Sequence, residues 1–244
     1  MKLVIANKNH SSWSLRPWLL LTELGIPFEE VLVPFGKTFD DPEWKQAISA
    51  FTPAGKVPAL LDGPVQVWES IAIMEYVADR FPEKHVWPSD PGARAMARSI
   101  SAEMHSGFQA LRNACPMNLA WEHAPRDRGE KVAADVARIN RIWRDARERF
   151  GEKDPSGGPF LFGAFSAADA MFAPVTTRFT TYGIRLDAVG EAYIAAVQGT
   201  AGFRSWRTAA LAEPWIVEED EIDEPVLLDH RPHLRRTRPP SRLS

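Results

Sequence analysis

The chain holds 244 residues, 45% of them apolar and 25% charged, with a formal net charge of −3. That length fits one large domain or two small ones, and the composition excludes a chain disordered throughout. A run of about 18 uninterrupted apolar residues is missing, which excludes a membrane span, and the slight negative charge leaves no footprint for nucleic acid. The single cysteine, Cys115, forms no internal disulfide and fits a reducing compartment. The opening MKLVIANKNHSSW is apolar too briefly for a secretory signal. The expectation is a soluble cytoplasmic protein.

In chain order, Leu3 to Ala6 is a short apolar run that reads as a buried strand. Leu15 to Leu24 reads as a helix with Pro17 in its first turn, stopped by Gly25 and Pro27. Glu30 to Val33 reads as a second strand and Pro42 to Phe51 as a weaker helix. Ala59-Leu60-Leu61 and Val65-Gln66-Val67 follow as a hairpin around Asp62-Gly63-Pro64. A helix capped by Ser70 then runs to about Arg80. This strand, helix, strand, helix, strand, strand, helix order makes a small α/β layer over residues 1–81.

Residues 82–92, with three prolines, read as a linker. Beyond them the strand signals stop. Residues 93–217 read as an all-helical domain, with helices expected over Ala93–Asn113, Lys131–Phe150, from Ser166, over Glu191–Gln198 and over Phe203–Ala212. In the second of these, Val132, Val136, Ile139, Trp143, Ala146 and Phe150 recur at three- and four-residue steps. Ser166 and Asp169 can cap each other's backbone N–H groups, a folding role. Residues 218–244 carry six acids within Glu218–Glu224 and four arginines from Leu234 onward. They read as a charged, solvated tail. His230 and His233 read as surface composition, and no metal site is expected.

Three places could carry chemistry. The first strand ends in Asn9-His10-Ser11-Ser12-Trp13-Ser14-Leu15-Arg16, directly before a helix, where hydroxyls and free N–H groups favour an anion. Ser11-x-x-Ser14 occupies the position where a redox fold carries Cys-x-x-Cys, so dithiol chemistry is excluded. One serine, Ser12 or Ser14, also reads as a plain helix cap. His10 is a poor base for Ser11, because neighbouring strand residues point to opposite faces. A hydroxyl that donates to a bound thiolate needs no base. Lowering a thiol from a pKa of about 8.5 to about 6.5 takes roughly 2.7 kcal/mol. A hydrogen bond to a charge supplies about 1.5–3 kcal/mol and a helix N-terminus about 0.3–1. The second place is Lys56-Val57-Pro58-Ala59, a proline at a strand start, which also reads as an ordinary turn. The third is Trp68-Glu69-Ser70 at a helix start, which also reads as a cap beside an acid.

Together, in this order, these elements resemble the cytosolic glutathione S-transferases over about residues 3–212. The resemblance implies a thioredoxin-like α/β N-terminal domain followed by an all-α domain. It implies glutathione as co-substrate, a small-molecule electrophile, a homodimer, and no metal. Val57-Pro58 resembles the family's cis-proline motif, Glu69-Ser70 its pair for the γ-glutamyl group, and Phe165 to Asp169 its capping box. Ser11 to Arg16 and Ser106 to Asn113 are similar to segments of the zeta class. By that likeness Ser11, with Ser12 beside it, is catalytic. Ser14, Arg16, Lys56, Val57, Pro58, Glu69, Ser70, Gln109 and Asn113 bind glutathione. Met104, His105, Phe108 and Arg112 wall the electrophile pocket, with Met117 and Asn118 just beyond. Met104 and Phe108 also sit on the helix's apolar stripe and read as core. Trp13 stands where the zeta class has cysteine, which weighs against maleylacetoacetate isomerase activity and leaves a serine-type site intact. A glutathione-dependent cis–trans isomerase and a non-catalytic binding module are the competing expectations.

Overall fold

The structure, a computed structural model, describes residues 1–36 and 38–234. β1 (Lys2–Ile5) leads into α1 (Ser12–Glu23), β2 (Glu29–Leu32), α2 (Pro42–Ser49), β3 (Ala59–Asp62), β4 (Val65–Trp68) and α3 (Ser70–Arg80). The sheet order is β2-β1-β3-β4. β1 and β2 are parallel, so the chain needs a crossover between them, which α1 supplies. β3 and β4 are antiparallel and need only the two residues Gly63 and Pro64, with Gly63 at φ +58°. α1 starts three residues earlier than the sequence predicts, because Ser11 is the N-cap. Pro17 therefore falls in the second turn rather than the first, and α1 forgoes one backbone bond to the Trp13 carbonyl.

The helical half comprises α4 (Pro91–Ser106), α5 (Gln109–Ala114), α6 (Glu130–Arg149), α7 (Ala167–Thr181), α8 (Ala188–Gln198) and α9 (Ala201–Ala212). The single helix expected over residues 93–113 is thus two. Phe108 takes a left-handed conformation at φ +58°, and Gly107 lies so close to the Glu103 carbonyl that a Cβ would sit 2.8 Å from its oxygen. α7 is buried on nearly every face because it lies at the centre, with α1, α4 and α8 packed on it. The expected capping box forms at its start. The Asp169 carboxylate accepts from Ser166 N–H and Oγ–H at 2.9 Å each, from Leu161 N–H at 3.0 Å and from the Tyr193 hydroxyl at 3.1 Å. Burial raises its pKa to about 6 against those donors.

One continuous core joins the halves, with Leu3, Ile5 and Leu19 meeting Ile100, Met171 and Trp206. A smaller cluster under α2 gathers Val4, Ala6, Trp44, Ile48 and Val217. Val217 introduces a correction. Residues 218–234, expected as solvated tail, fold back onto the body, and β6 (Val226–Asp229) pairs with β5 (Trp121–His123) beside the helices. Arg231 is buried and donates to the carbonyls of Glu213 at 3.1 Å and Trp215 at 3.4 Å. Arg128 binds Glu224 through its two terminal guanidinium nitrogens, at 2.9 and 2.7 Å. Glu224 finds its cationic partner on the body, and Glu219 a backbone N–H, which a count of charge along the chain does not reveal. The remainder of the expected tail, 235–244, lies outside the described residues. Among the described residues no helix is long and apolar enough to cross a membrane.

Candidate active site

The corner between β1 and α1 is clamped from four directions. Asn7 Oδ1 accepts from Phe35 N–H at 2.6 Å. Asn9 Oδ1 accepts from Leu119 N–H at 3.0 Å, and its amide donates to Asn118 Oδ1 at 3.2 Å. Trp206 on α9 donates its indole N–H to the Lys8 carbonyl at 2.9 Å. The Glu213 carboxylate, just past α9, accepts from Lys8 N–H at 2.7 Å and Asn9 N–H at 3.1 Å. Loop backbone that forms no ladder is thus satisfied by side chains from both halves.

Ser11 and Ser12 emerge from this corner into a cavity of about 420 Å³. Ser11 Oγ caps α1 by accepting from Ser14 N–H at 3.4 Å, and it lies 2.7 Å from Ser14 Oγ. Ser14 Oγ accepts in turn from Ala6 N–H at 3.2 Å. A hydroxyl rotor donates once and accepts twice, so either serine can supply the proton between them. With Ser14 donating, the Ser11 proton is free for a ligand in the cavity. Ser14 itself is fully buried behind Ser11. It supports the site from behind and is not on the cavity wall where the sequence placed it.

The rest of the cavity wall brings together residues far apart in the chain. Lys56 and Val57 line it beside β3, and the Val57–Pro58 bond is cis. Pro58 is buried. Gln109, Arg112 and Asn113 of α5 line the facing side, with Met117 beyond them. Further lining groups were not expected, among them the titratable or charged His10, Asp40, Lys45, Arg178 of α7 and Asp220. Burial, then the charge of Arg231, lowers the pKa of His10 to about 3, so its ring is neutral. Burial lowers Arg178 to about 10, and its guanidinium donates to the carbonyls of Cys115 and Arg112. Burial raises Asp220 to about 7, opposed by Arg178.

Trp13, the residue that departs from the zeta pattern, ties the remaining expected groups together. The guanidinium carbons of Arg16 and Arg112 lie 4.1 and 4.4 Å from its ring, a double cation–π contact. Arg16 is fully buried and reaches the Ser70 hydroxyl at 3.5 Å. Burial, then the nearby Arg112 charge, lowers its pKa well below the ordinary value. His105 meets the Trp13 ring edge-on at 5.2 Å and lies 3.5 Å from Glu69 through Nε2. Burial, then Arg16, lowers the His105 pKa. Glu69 holds φ at +69°, a conformation that strains a non-glycine residue. Met104 and Phe108 do not line this cavity. They belong to the continuous core: Met104 on the buried stripe of α4, which packs on α7, and Phe108 at the head of α5.

With this geometry in view, two similarities are decisive. The model of the glutathione S-transferase N-terminal domain matches residues 10–80. A maleylacetoacetate isomerase from Pseudomonas aeruginosa is 30% identical over 196 residues, 77% of this chain and 85% of that relative. The chain belongs to the glutathione S-transferase family. Within the family it is zeta-like. A zeta-class glutathione S-transferase from Euphorbia esula is 31% identical over 136 residues, and the chain spans 55% of that relative's length. The structure of a sphingomonad glutathione S-transferase complexed with glutathione shares the fold, with a TM-score of 0.62 at 24% identity. It covers 87% of this chain and 100% of its own. Membership makes this protein a glutathione-dependent enzyme.

Proposed function

We propose that this family member is a serine-type glutathione transferase in which the Ser11 hydroxyl holds the glutathione thiolate for attack on a hydrophobic electrophile. The observation that carries the reading is the hydroxyl pair at the head of α1. Ala6 N–H donates to Ser14 Oγ, which lies 2.7 Å from Ser11 Oγ, and Ser11 lines the cavity; when the Ser14 hydroxyl turns toward Ser11, the Ser11 proton is available to a ligand. Each link polarises the next. The α1 N-terminus adds a favourable potential for negative sulfur. Together they cover the roughly 2.7 kcal/mol that a two-unit fall in thiol pKa requires.

The surrounding residues fit the tripeptide. Val57 supports the cysteinyl backbone, and Lys56, Gln109 and Asn113 offer polar contacts at the cavity mouth. Glu69 and Ser70, backed by the buried Arg16, support the γ-glutamyl end. His105 and Arg112 stand on the electrophile side, around Trp13. The thiol proton leaves to water on binding, the thiolate attacks, and the enzyme stabilises charge without a covalent intermediate. A homodimer in the cytoplasm, acting on a small-molecule electrophile, completes the reading; it is supported by the kinship and by a cysteine that is buried rather than paired.

The test compares Ser11→Ala with Ser12→Ala against several electrophiles. Ser11→Ala is expected to lower turnover at neutral pH while leaving retention on immobilised glutathione largely intact. Full activity in Ser11→Ala would overturn the reading, and loss of retention in the wild type would favour a binding module without catalysis. A second reading, cis–trans isomerisation of a maleyl compound, is favoured by the kinship to the Pseudomonas enzyme. Assaying such a compound beside an aryl electrophile separates the two.

A further inference from the structure

The segment after α9 delivers an acid into the cleft. Glu213 and Arg231 strap it to the body, Val217 enters the small core, and the Glu219 carboxylate accepts from Phe39 N–H at 2.9 Å. Between these anchors Asp220 reaches the cavity that Ser11 and Ser12 line, its side chain 17% exposed. The other acid on the wall, Asp40, is 91% exposed and paired with Lys45 at 3.4 Å. Asp220 makes no such ion pair. His10 Nδ1 lies 4.0 Å from Asp220 Oδ2, and the charges of Arg178 and Glu219 also act on the carboxyl. The Asn9 amide nitrogen lies 2.9 Å from His10 Nε2, and the ring also interacts with the Met117 backbone. Arg178 Nη1 donates to the carbonyls of Arg112 and Cys115. Burial, opposed by the Arg178 charge and aided by that of Glu219, raises Asp220 to about 7.

A thiolate that displaces an aryl halide needs no proton donor, since the halide leaves with the electron pair. A thiolate that adds to an activated double bond does need one. We propose that Asp220 is the proton donor for addition of glutathione to α,β-unsaturated carbonyl compounds, a role that rests on the Ser11 thiolate reading. The S–C bond forms at the β-carbon, and the π pair of the double bond moves onto the α-carbon and carbonyl oxygen. The Asp220 carboxyl gives its proton to the α-carbon. The resulting carboxylate recovers a proton that the next glutathione thiol sheds on binding, carried by water in the cleft. Oxidation states and charge balance over the cycle: one thiol and one alkene become one thioether. No outside reagent is needed.

The test follows Asp220→Asn, which preserves shape, through two reactions of the same protein: addition to an α,β-unsaturated ketone and substitution on an activated aryl chloride. Addition is expected to fall tenfold or more relative to substitution, with partial recovery in Asp220→Glu. Run in heavy water, the wild type is expected to place deuterium in one of the two positions on the α-carbon, and Asp220→Asn in both. Equal losses in the two reactions, or an unchanged ratio with unchanged stereochemistry, would overturn the assignment. A wild type inert to both electrophiles would overturn the thiolate reading and take this one with it.

Discussion

The β1–α1 corner and the segment from Glu213 to Arg231 border the same cleft, yet they are held by different physics. The corner is built from local geometry: a strand end, a capping serine and a helix N-terminus fix Ser11 within a few residues of chain. The segment contributes little regular structure. It is held by long-range bonds such as Glu213 to Lys8 N–H and Asn9 N–H, Arg231 to carbonyls, and Arg128 to Glu224. The two meet through Glu213, which satisfies backbone donors of the corner from the far end of the chain. The corner supplies the site's hydroxyls, and the segment supplies its acid and the bonds that keep the loop still.

Cutting that link should have the largest effect. Glu213→Ala leaves two buried N–H groups unpaired and is expected to cost about 3 kcal/mol of stability, read by denaturant unfolding. Hydrogen exchange should quicken at both Lys8–Asn9 and the segment; exchange at one alone would show that the two are independent. Within the corner, Ser11→Ala is expected to lose about 2 kcal/mol of thiolate stabilisation, roughly thirtyfold in turnover at neutral pH. His10, where the two regions touch, gives a pH signature. Its pKa is about 3 in the fold and near 6.5 unfolded. The unfolded chain therefore takes up the proton first, and stability falls as pH drops from about 6.5 toward 3. Between neutral pH and about 4.5 the wild type should lose about 2 kcal/mol more than His10→Gln; parallel curves would mean that His10 is solvated. The smallest effect belongs to Ser14→Ala. It removes the second link of the hydroxyl chain and is expected to cost about 1 kcal/mol, roughly fivefold in turnover.

The same contrast explains what the sequence discloses. Ser11-x-x-Ser14, Val57-Pro58 and the Ser166–Asp169 box are legible because each is a signal within four residues, tied to a strand or helix end. The α6 stripe is legible because its period is undisturbed. The break at Gly107–Phe108 is not, since the apolar positions continue in phase across it. Trp13 reads only as a departure from a motif, because its partner Arg112 lies on another helix. Arg16, three residues on and on the same helix face, was the available hint. Asp220 is hidden by its neighbours, as an acid-rich run looks solvated however its partners are arranged. The apolar Trp215-Ile216-Val217 before it, which ends in the fully buried Val217, is the sign that this stretch packs.

The account turns on the ionisation of a sulfur beside Ser11. The ultraviolet absorbance of the thiolate, titrated with pH on glutathione complexes of the wild type and of Ser11→Ala, measures it directly. The wild type should bind glutathione with a thiol pKa near about 6.5, and Ser11→Ala should return it toward about 8.5. Matching midpoints in the two proteins would contradict the role assigned to Ser11.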